Sequence, residues 1–193
     1  MTAANKITIA RILLVPLFIV QILLYIGGGQ ERFRLGAILC FALAAGADGL
    51  DGYVARRFNQ KTELGAILDP LADKLLLVSA IVVLSLESHR KFVPIPLWLV
   101  VIVLIRETIL LIGMAVLYWT SGKFMARPRL AGKMATVLQV AAVLWTLLKW
   151  PQAALPSLTA GAGLFVILSG LYYLGDFMRQ FRNGRELIPK SLP

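Results

Sequence analysis

Polar and apolar positions along the chain segregate into long blocks. Apolar runs occupy Ile7–Ile26, Leu35–Ala47, Leu75–Leu86, Leu97–Trp119, Leu130–Trp150 and Leu155–Phe177. A membrane-crossing helix needs roughly 20 mostly apolar residues, so the pattern predicts six transmembrane helices. The second and third runs are short. They reach spanning length only if the polar block between them, Asp48 to Lys74, belongs partly to their helices. The expected fold class is therefore an all-α polytopic membrane protein with one membrane-embedded domain over residues 1–193.

Composition agrees with the pattern. Of 193 residues, 59% are hydrophobic and 16% charged, against about 45–50% and 25% in a soluble domain. Twenty Lys and Arg face ten Asp and Glu, a formal charge of +10. No basic stripe lies on a soluble face, so nucleic acid is not an expected partner, and the charge is read as flanking the spans. An even number of spans puts both termini on one side. Lys6, Arg11, Arg56, Arg57, Lys61, Lys123, Arg127, Arg129, Lys133, Arg179, Arg182, Arg185 and Lys190 fall on that side, and Arg32, Arg34, Arg90, Lys91 and Lys149 on the other. By the positive-inside rule the termini are expected in the cytoplasm of a cell (inner) membrane. The first run lacks a small-residue cleavage site and is read as a retained span. Cys40 is the only cysteine, which excludes an internal disulfide, and His89 the only histidine, which speaks against a histidine-based zinc site.

The polar block carries the candidate chemistry. Asp48 and Asp51 stand three residues apart at the expected end of one helix, and Asp69 and Asp73 four apart at the start of the next. Each pair thus shares a helix face. The intervening turn, with Asn59, Gln60 and Lys61, makes the two helices a hairpin. Carboxylates at the edge of hydrocarbon mark a functional site, and four of them call for two divalent cations. Oxygen donors without His or Cys favour Mg²⁺ or Mn²⁺. Paired metals suit phosphoryl chemistry. Gly49, Gly52 and Gly65 leave room for a phosphate to approach the backbone, and Arg56 can hold one. The competing reading is helix capping, with Pro70 in the first turn of the second helix. It leaves Asp73 without a role.

The same residues match D-G-x-D-G-x2-A-R-x8-G-x3-D-x3-D at all nine fixed positions, a coincidence on the order of 10⁻¹¹ per starting point at average residue usage. In this the chain resembles the CDP-alcohol phosphatidyltransferase family. Asn5, Thr8 and Arg11, the pair Arg106-Glu107, and Gly132, Lys133, Thr136 and Gln139 resemble further family positions. The resemblance implies a six-helix, homodimeric enzyme among membrane lipids, using CDP-diacylglycerol at a site open to the cytoplasm. Asp48, Asp51, Asp69 and Asp73 would ligand two divalent cations, Asp73 also serving as general base. Gly49, Gly52, Arg56 and Gly65 would meet the CDP part. Arg106, an arginine in mid-span, is expected to bind the acceptor phosphate with Lys133, Arg127 and Arg129. It is not expected to pair with Glu107, because neighbours on a helix do not face each other.

The acceptor is less sharply written. The resemblance points to the branch containing phosphatidylglycerophosphate and cardiolipin synthases, with glycerol 3-phosphate as the leading acceptor and phosphatidylglycerol second. Gly113-Met114 and Ala135 stand where glycerophosphate-using members often carry Arg and Lys, and Pro94-Ile95-Pro96 and Pro128-Arg129-Leu130 look like the cardiolipin synthases. Inositol-phosphate and serine acceptors fit less well. A carboxylate-based ion transporter is the alternative from another class, but it gives no reason for three glycines and an arginine at fixed spacing.

Overall fold

The computed structural model describes residues 3–58, 63–86, 91–121 and 130–186, with side chains described for 10–46, 74–86, 91–113, 130–176 and 178. The described residues form six long helices and no strand: α1 (Ala3–Gly28), α2 (Glu31–Phe58), α3 (Glu63–Leu86), α4 (Leu97–Ser121), α5 (Leu130–Leu147) and α6 (Leu155–Glu186), with a 3₁₀ turn at Gln152–Ala154 before α6. The all-α expectation holds. The polar block does join the second and third helices, which is why the two short apolar runs become helices of 28 and 24 residues. Helix α6 continues nine residues past the predicted Phe177.

Among the described residues, Ala10–Gly28, Leu130–Leu147 and Gln152–Asp176 are long and apolar enough to cross a membrane, and Lys74–Leu86 is a shorter apolar stretch. The helices bury faces at the spacing their geometry dictates: Phe18, Ile22 and Tyr25 on α1, Ala37, Phe41 and Ala44 on α2, Leu76, Ala80 and Leu84 on α3. Outward faces are apolar too, with Leu13, Leu17, Leu39, Leu43, Ile105, Ile112, Leu164 and Leu171 all exposed. Surfaces apolar on both sides of a helix suit a lipid surround. α1 packs on α2 and α3, α5 on α6, and α6 on α4, while α3 touches α4 and α5.

Small residues admit the close approaches. A Cβ on Gly163 of α6 would lie 2.5 Å from the Trp98 ring of α4. α1 ends on Gly29, in the left-handed region at φ 71, whose N–H donates to the Tyr25 carbonyl at 2.7 Å. α5 ends the same way, but on a lysine: Lys149 has φ 56, its N–H donates to the Thr146 carbonyl at 3.1 Å, and the Trp150 N–H donates to the Trp145 carbonyl at 3.2 Å. That paired closure normally selects glycine.

Candidate active site

All four aspartates lie in helix interiors. Asp51 and Asp48 stand seven and ten residues before Phe58, the end of α2, and Asp69 and Asp73 six and ten residues after Glu63, the start of α3. At 1.5 Å per residue, Asp51 and Asp69 sit about 10 Å, and Asp48 and Asp73 about 15 Å, from the end of α2 and the start of α3 respectively, two helices that touch. This corrects two expectations. The pairs are not at a helix end and a helix start, and the capping alternative fails, because none of the four, nor Pro70, occupies a terminal turn. Helix nonetheless continues through Gly49, Gly52, Gly65 and Pro70. The side chains of Asp48, Asp51, Arg56, Asp69 and Asp73 lie outside the described ones, as do Arg127, Arg129 and His89 altogether. Among the described residues no group of three or more His, Cys, Asp or Glu forms a metal site.

The next residue after Asp73 opens the described part of the site. Lys74 Nζ donates to Glu107 Oε2, and Arg106 Nη1 donates to Glu107 Oε1. Both oxygens of one carboxylate are thus taken by cations from α3 and α4. Arg106 and Glu107 are 7% and 8% exposed. The expectation that these neighbours would not pair is therefore wrong. A long guanidinium can fold back along its helix, and burial of Arg106 and Glu107 beside half-buried Lys74 favours any geometry that brings opposite signs into contact. Arg106 Nε also donates to Ser169 Oγ of α6 at 3.1 Å, and its guanidinium carbon lies 5.8 Å from the centre of the Tyr173 ring. A Cβ on Gly132 would stand 3.4 Å from Arg106 Nη2 and 3.3 Å from the Tyr173 hydroxyl. Arg106 thus joins α4, α6 and the first turn of α5. Lys133, next to Gly132, is exposed there.

Two more residues singled out from the sequence are buried. Arg11 is buried in α1 at 2% exposure, and Gln139 is 1% exposed on the α5 face that carries Gly132 and Ala135. The Gln139 amide nitrogen has no hydrogen-bond partner among the described residues. The Thr136 hydroxyl donates back to the Gly132 carbonyl at 3.1 Å, so it serves its own helix. Sequence reasoning missed Lys74 and Glu107 as partners. Their signal was present: two opposite charges inside apolar runs, which pair by necessity. Ser169 and Tyr173 gave no such signal.

At the other end of the bundle a cavity of about 290 Å³ is lined by Lys91, Phe92, Trp145, Lys149 and Trp150 among others. Tryptophan and lysine together are the usual composition of a helix end at a bilayer interface. The cavity is remote along the chain and the helices from the aspartate block.

Comparison with known proteins places this arrangement. The sequence profile described as CDP-alcohol phosphatidyltransferase matches residues 1–171. A probable phosphatidylglycerophosphate synthase of Mycobacterium tuberculosis is 33% identical over 187 residues, covering 95% of this chain and 85% of the relative. A CDP-diacylglycerol–glycerol-3-phosphate 3-phosphatidyltransferase of Escherichia coli K12 is 33% identical over 177 residues, 87% of this chain and 90% of the relative. A cardiolipin synthase (CMP-forming) of Streptomyces coelicolor is 39% identical over 117 residues, 61% of this chain and 52% of the relative. With the nine-position motif on α2 and α3 and a family profile spanning most of its length, the chain belongs to the CDP-alcohol phosphatidyltransferases.

Proposed function

We propose that the chain transfers the phosphatidyl group of CDP-diacylglycerol to glycerol 3-phosphate, releasing CMP and forming phosphatidylglycerophosphate. The observation that carries this reading is the similarity to relatives named for that reaction, which match between 50% and 95% of the chain, two of them 87% and 95%, beside a cardiolipin synthase that matches 61%. The chain works as a single domain over residues 1–193, a homodimer among membrane lipids in the cell (inner) membrane, with all six helices crossing it. The excess of basic residues beside the α2–α3 and α4–α5 connections and both termini supports a site and termini facing the cytoplasm.

In this reading Asp48, Asp51, Asp69 and Asp73 would hold two divalent cations, Mg²⁺ or Mn²⁺, and their similar distances from the end of α2 and the start of α3 support that use. The cations supply charge stabilisation for the phosphate oxygens. Gly49, Gly52 and Gly65 let the CDP part lie close to the helices, and Arg56 binds it. Arg106 and Lys133, with Arg127 and Arg129, hold the acceptor phosphate. Lys74 and Arg106 set two cations against the single carboxylate of Glu107, so among the described residues the cluster has positive charge to spare for an anion. Asp73 takes the proton of the acceptor hydroxyl. Its oxygen bonds to the phosphorus bearing diacylglycerol, the bond from that phosphorus to CMP breaks, and CMP leaves with the electron pair.

Purified protein given CDP-diacylglycerol, Mg²⁺ and glycerol 3-phosphate alone should release CMP. Release only when phosphatidylglycerol is the acceptor would instead make it a cardiolipin synthase, the reading favoured by Ala135 and by Gly113-Met114. Cation flux without any alcohol-dependent CMP release would restore the transporter. Asp73→Asn should lower CMP release by about 10²–10⁴-fold, the range of a lost general base, with helix content unchanged. Normal turnover in that variant refutes the base assignment.

A further inference from the structure

Helix α6 lies outside every motif in the sequence, yet it cradles the arginine of the site. Ser169 Oγ accepts from Arg106 Nε at 3.1 Å. The Tyr173 ring, one turn on, lies 5.8 Å from the guanidinium carbon. Between them Gly170 admits the arginine stem, a Cβ there standing 3.8 Å from Arg106 Cγ. Glu107 holds Nη1. With Nε, Nη1 and the ring face engaged, the Nη2 edge is the one turned toward Gly132 and the first turn of α5.

A buried arginine that served only to join helices would be satisfied by the carboxylate. Here the carboxylate is shared with Lys74, and the remaining contacts are neutral groups that fix orientation without cancelling charge. An unrestrained arginine loses substantial rotamer freedom when it grips a phosphate, so a guanidinium locked beforehand binds more tightly. We propose that Ser169 and Tyr173 are positioning residues that aim the Nη2 edge of Arg106 at the acceptor phosphate, making α6 part of the acceptor subsite. The inference rests on the reading of Arg106 as the acceptor-phosphate ligand. Ser169 and Tyr173 themselves touch no reacting atom.

The test is steady-state kinetics of the full-length protein in vesicles, with glycerol 3-phosphate and CDP-diacylglycerol varied separately. Ser169→Ala should raise KM for glycerol 3-phosphate about ten-fold, as expected when a hydrogen bond to a charged group is lost. Both kcat and KM for CDP-diacylglycerol should change less than about two-fold, because the loss falls on acceptor binding alone. In an Arg106→Lys background the same serine change should add nothing, since residues acting through one group are non-additive. Tyr173→Leu should raise the acceptor KM, and Tyr173→Phe, which keeps the ring, should recover most of that loss. This second pair carries the test if Ser169→Ala fails to fold.

Equal effects on both substrates, a loss in kcat alone, or additivity with Arg106→Lys would reduce Ser169 to a packing role and overturn the proposal. Wild-type protein inactive with glycerol 3-phosphate takes down the functional reading and the proposal with it. Wild-type turnover with an unchanged acceptor KM in Ser169→Ala and Tyr173→Leu overturns the positioning role only.

Discussion

Two clusters of charge tie the helices together, one midway along α3 and α4 and one at the far end of the bundle, and they are built from the same parts in different surroundings. Beside the aspartate block, Glu107 bridges Lys74 and Arg106 and is almost wholly buried. At the far end Glu31 accepts from Arg34, from Lys149 at 3.3 Å and from the Tyr25 hydroxyl at 3.1 Å. Arg34 also donates to the Leu147 carbonyl at 2.8 Å, closing the end of α5. Each cluster sets one carboxylate against two cations. Glu31, however, is about half exposed, where water and salt screen its attractions, while Glu107 sits where little else can answer a charge. Identical chemistry should therefore be decisive in one place and nearly silent in the other.

Replacing the carboxylates separates the two most sharply. Glu107→Gln strands buried Arg106, and half-buried Lys74 beside it, and should destabilise the protein by about 3–5 kcal/mol, the usual effect of breaking a buried pair from one side. Unfolding in detergent, followed by helix content, measures it. Glu31→Gln should leave the unfolding midpoint nearly where it was. Comparable losses in the two variants would mean that the far-end cluster is shielded from water, contrary to its exposure. Raising salt sharpens the contrast: the Glu31 contribution should fade and the Glu107 contribution should stay.

A smaller effect is expected where the helices meet without charge. Gly163→Ala would push a methyl to 2.5 Å from the Trp98 ring, and the rigid indole cannot swing aside as a flexible chain end would. A loss of about 1–3 kcal/mol is expected for such overpacking. Gly161→Ala, on the same helix with its nearest neighbour at 3.7 Å, is the control and should be near neutral. Equal losses in the two would trace the effect to helix propensity rather than to contact.

The same contrast shows what the sequence could and could not reveal. Long apolar runs marked all six helices, because burial and lipid exposure both select apolar residues. It misplaced the ends of α2 and α3, because a polar stretch inside a helix reads as a turn until it is known that the helix continues. The motif singled out the aspartates from spacing alone, a local property. Ser169, Tyr173 and the Lys74–Glu107 pair come from elements far apart in the chain, and no spacing within one helix encodes which neighbour it will touch. The Arg106–Glu107 pairing went the other way: a sound rule about adjacent residues was overridden by burial. Lys149 is another such case, a lysine in the left-handed position that glycine normally takes.

That lysine gives the smallest effect and the finest test of the far-end cluster. Its side chain meets Glu31, and its ammonium lies 5.1 Å from the Tyr25 ring centre. The Tyr25 hydroxyl, then Glu31, push its pKa up from the ordinary 10.5. Arg34 first, then Lys149 and Tyr25, hold Glu31 at about 2, below its ordinary 4.5. A depressed carboxylate contributes stability above its ordinary pKa and loses it as pH falls toward the folded value. A raised amine contributes below its ordinary pKa and loses it as pH rises through the folded one. The contribution of the cluster should thus be flat between about pH 4.5 and 10.5 and decline outside that window. Lys149→Gly removes the contact but relieves the left-handed backbone, a gain of up to about 1 kcal/mol. Because the exposed contact is worth little, the variant should match the wild type or exceed it slightly between pH 5 and 10. A clear loss of stability across that window would show that the exposed lysine outweighs its own backbone strain, and the far end would then belong with the buried cluster rather than against it.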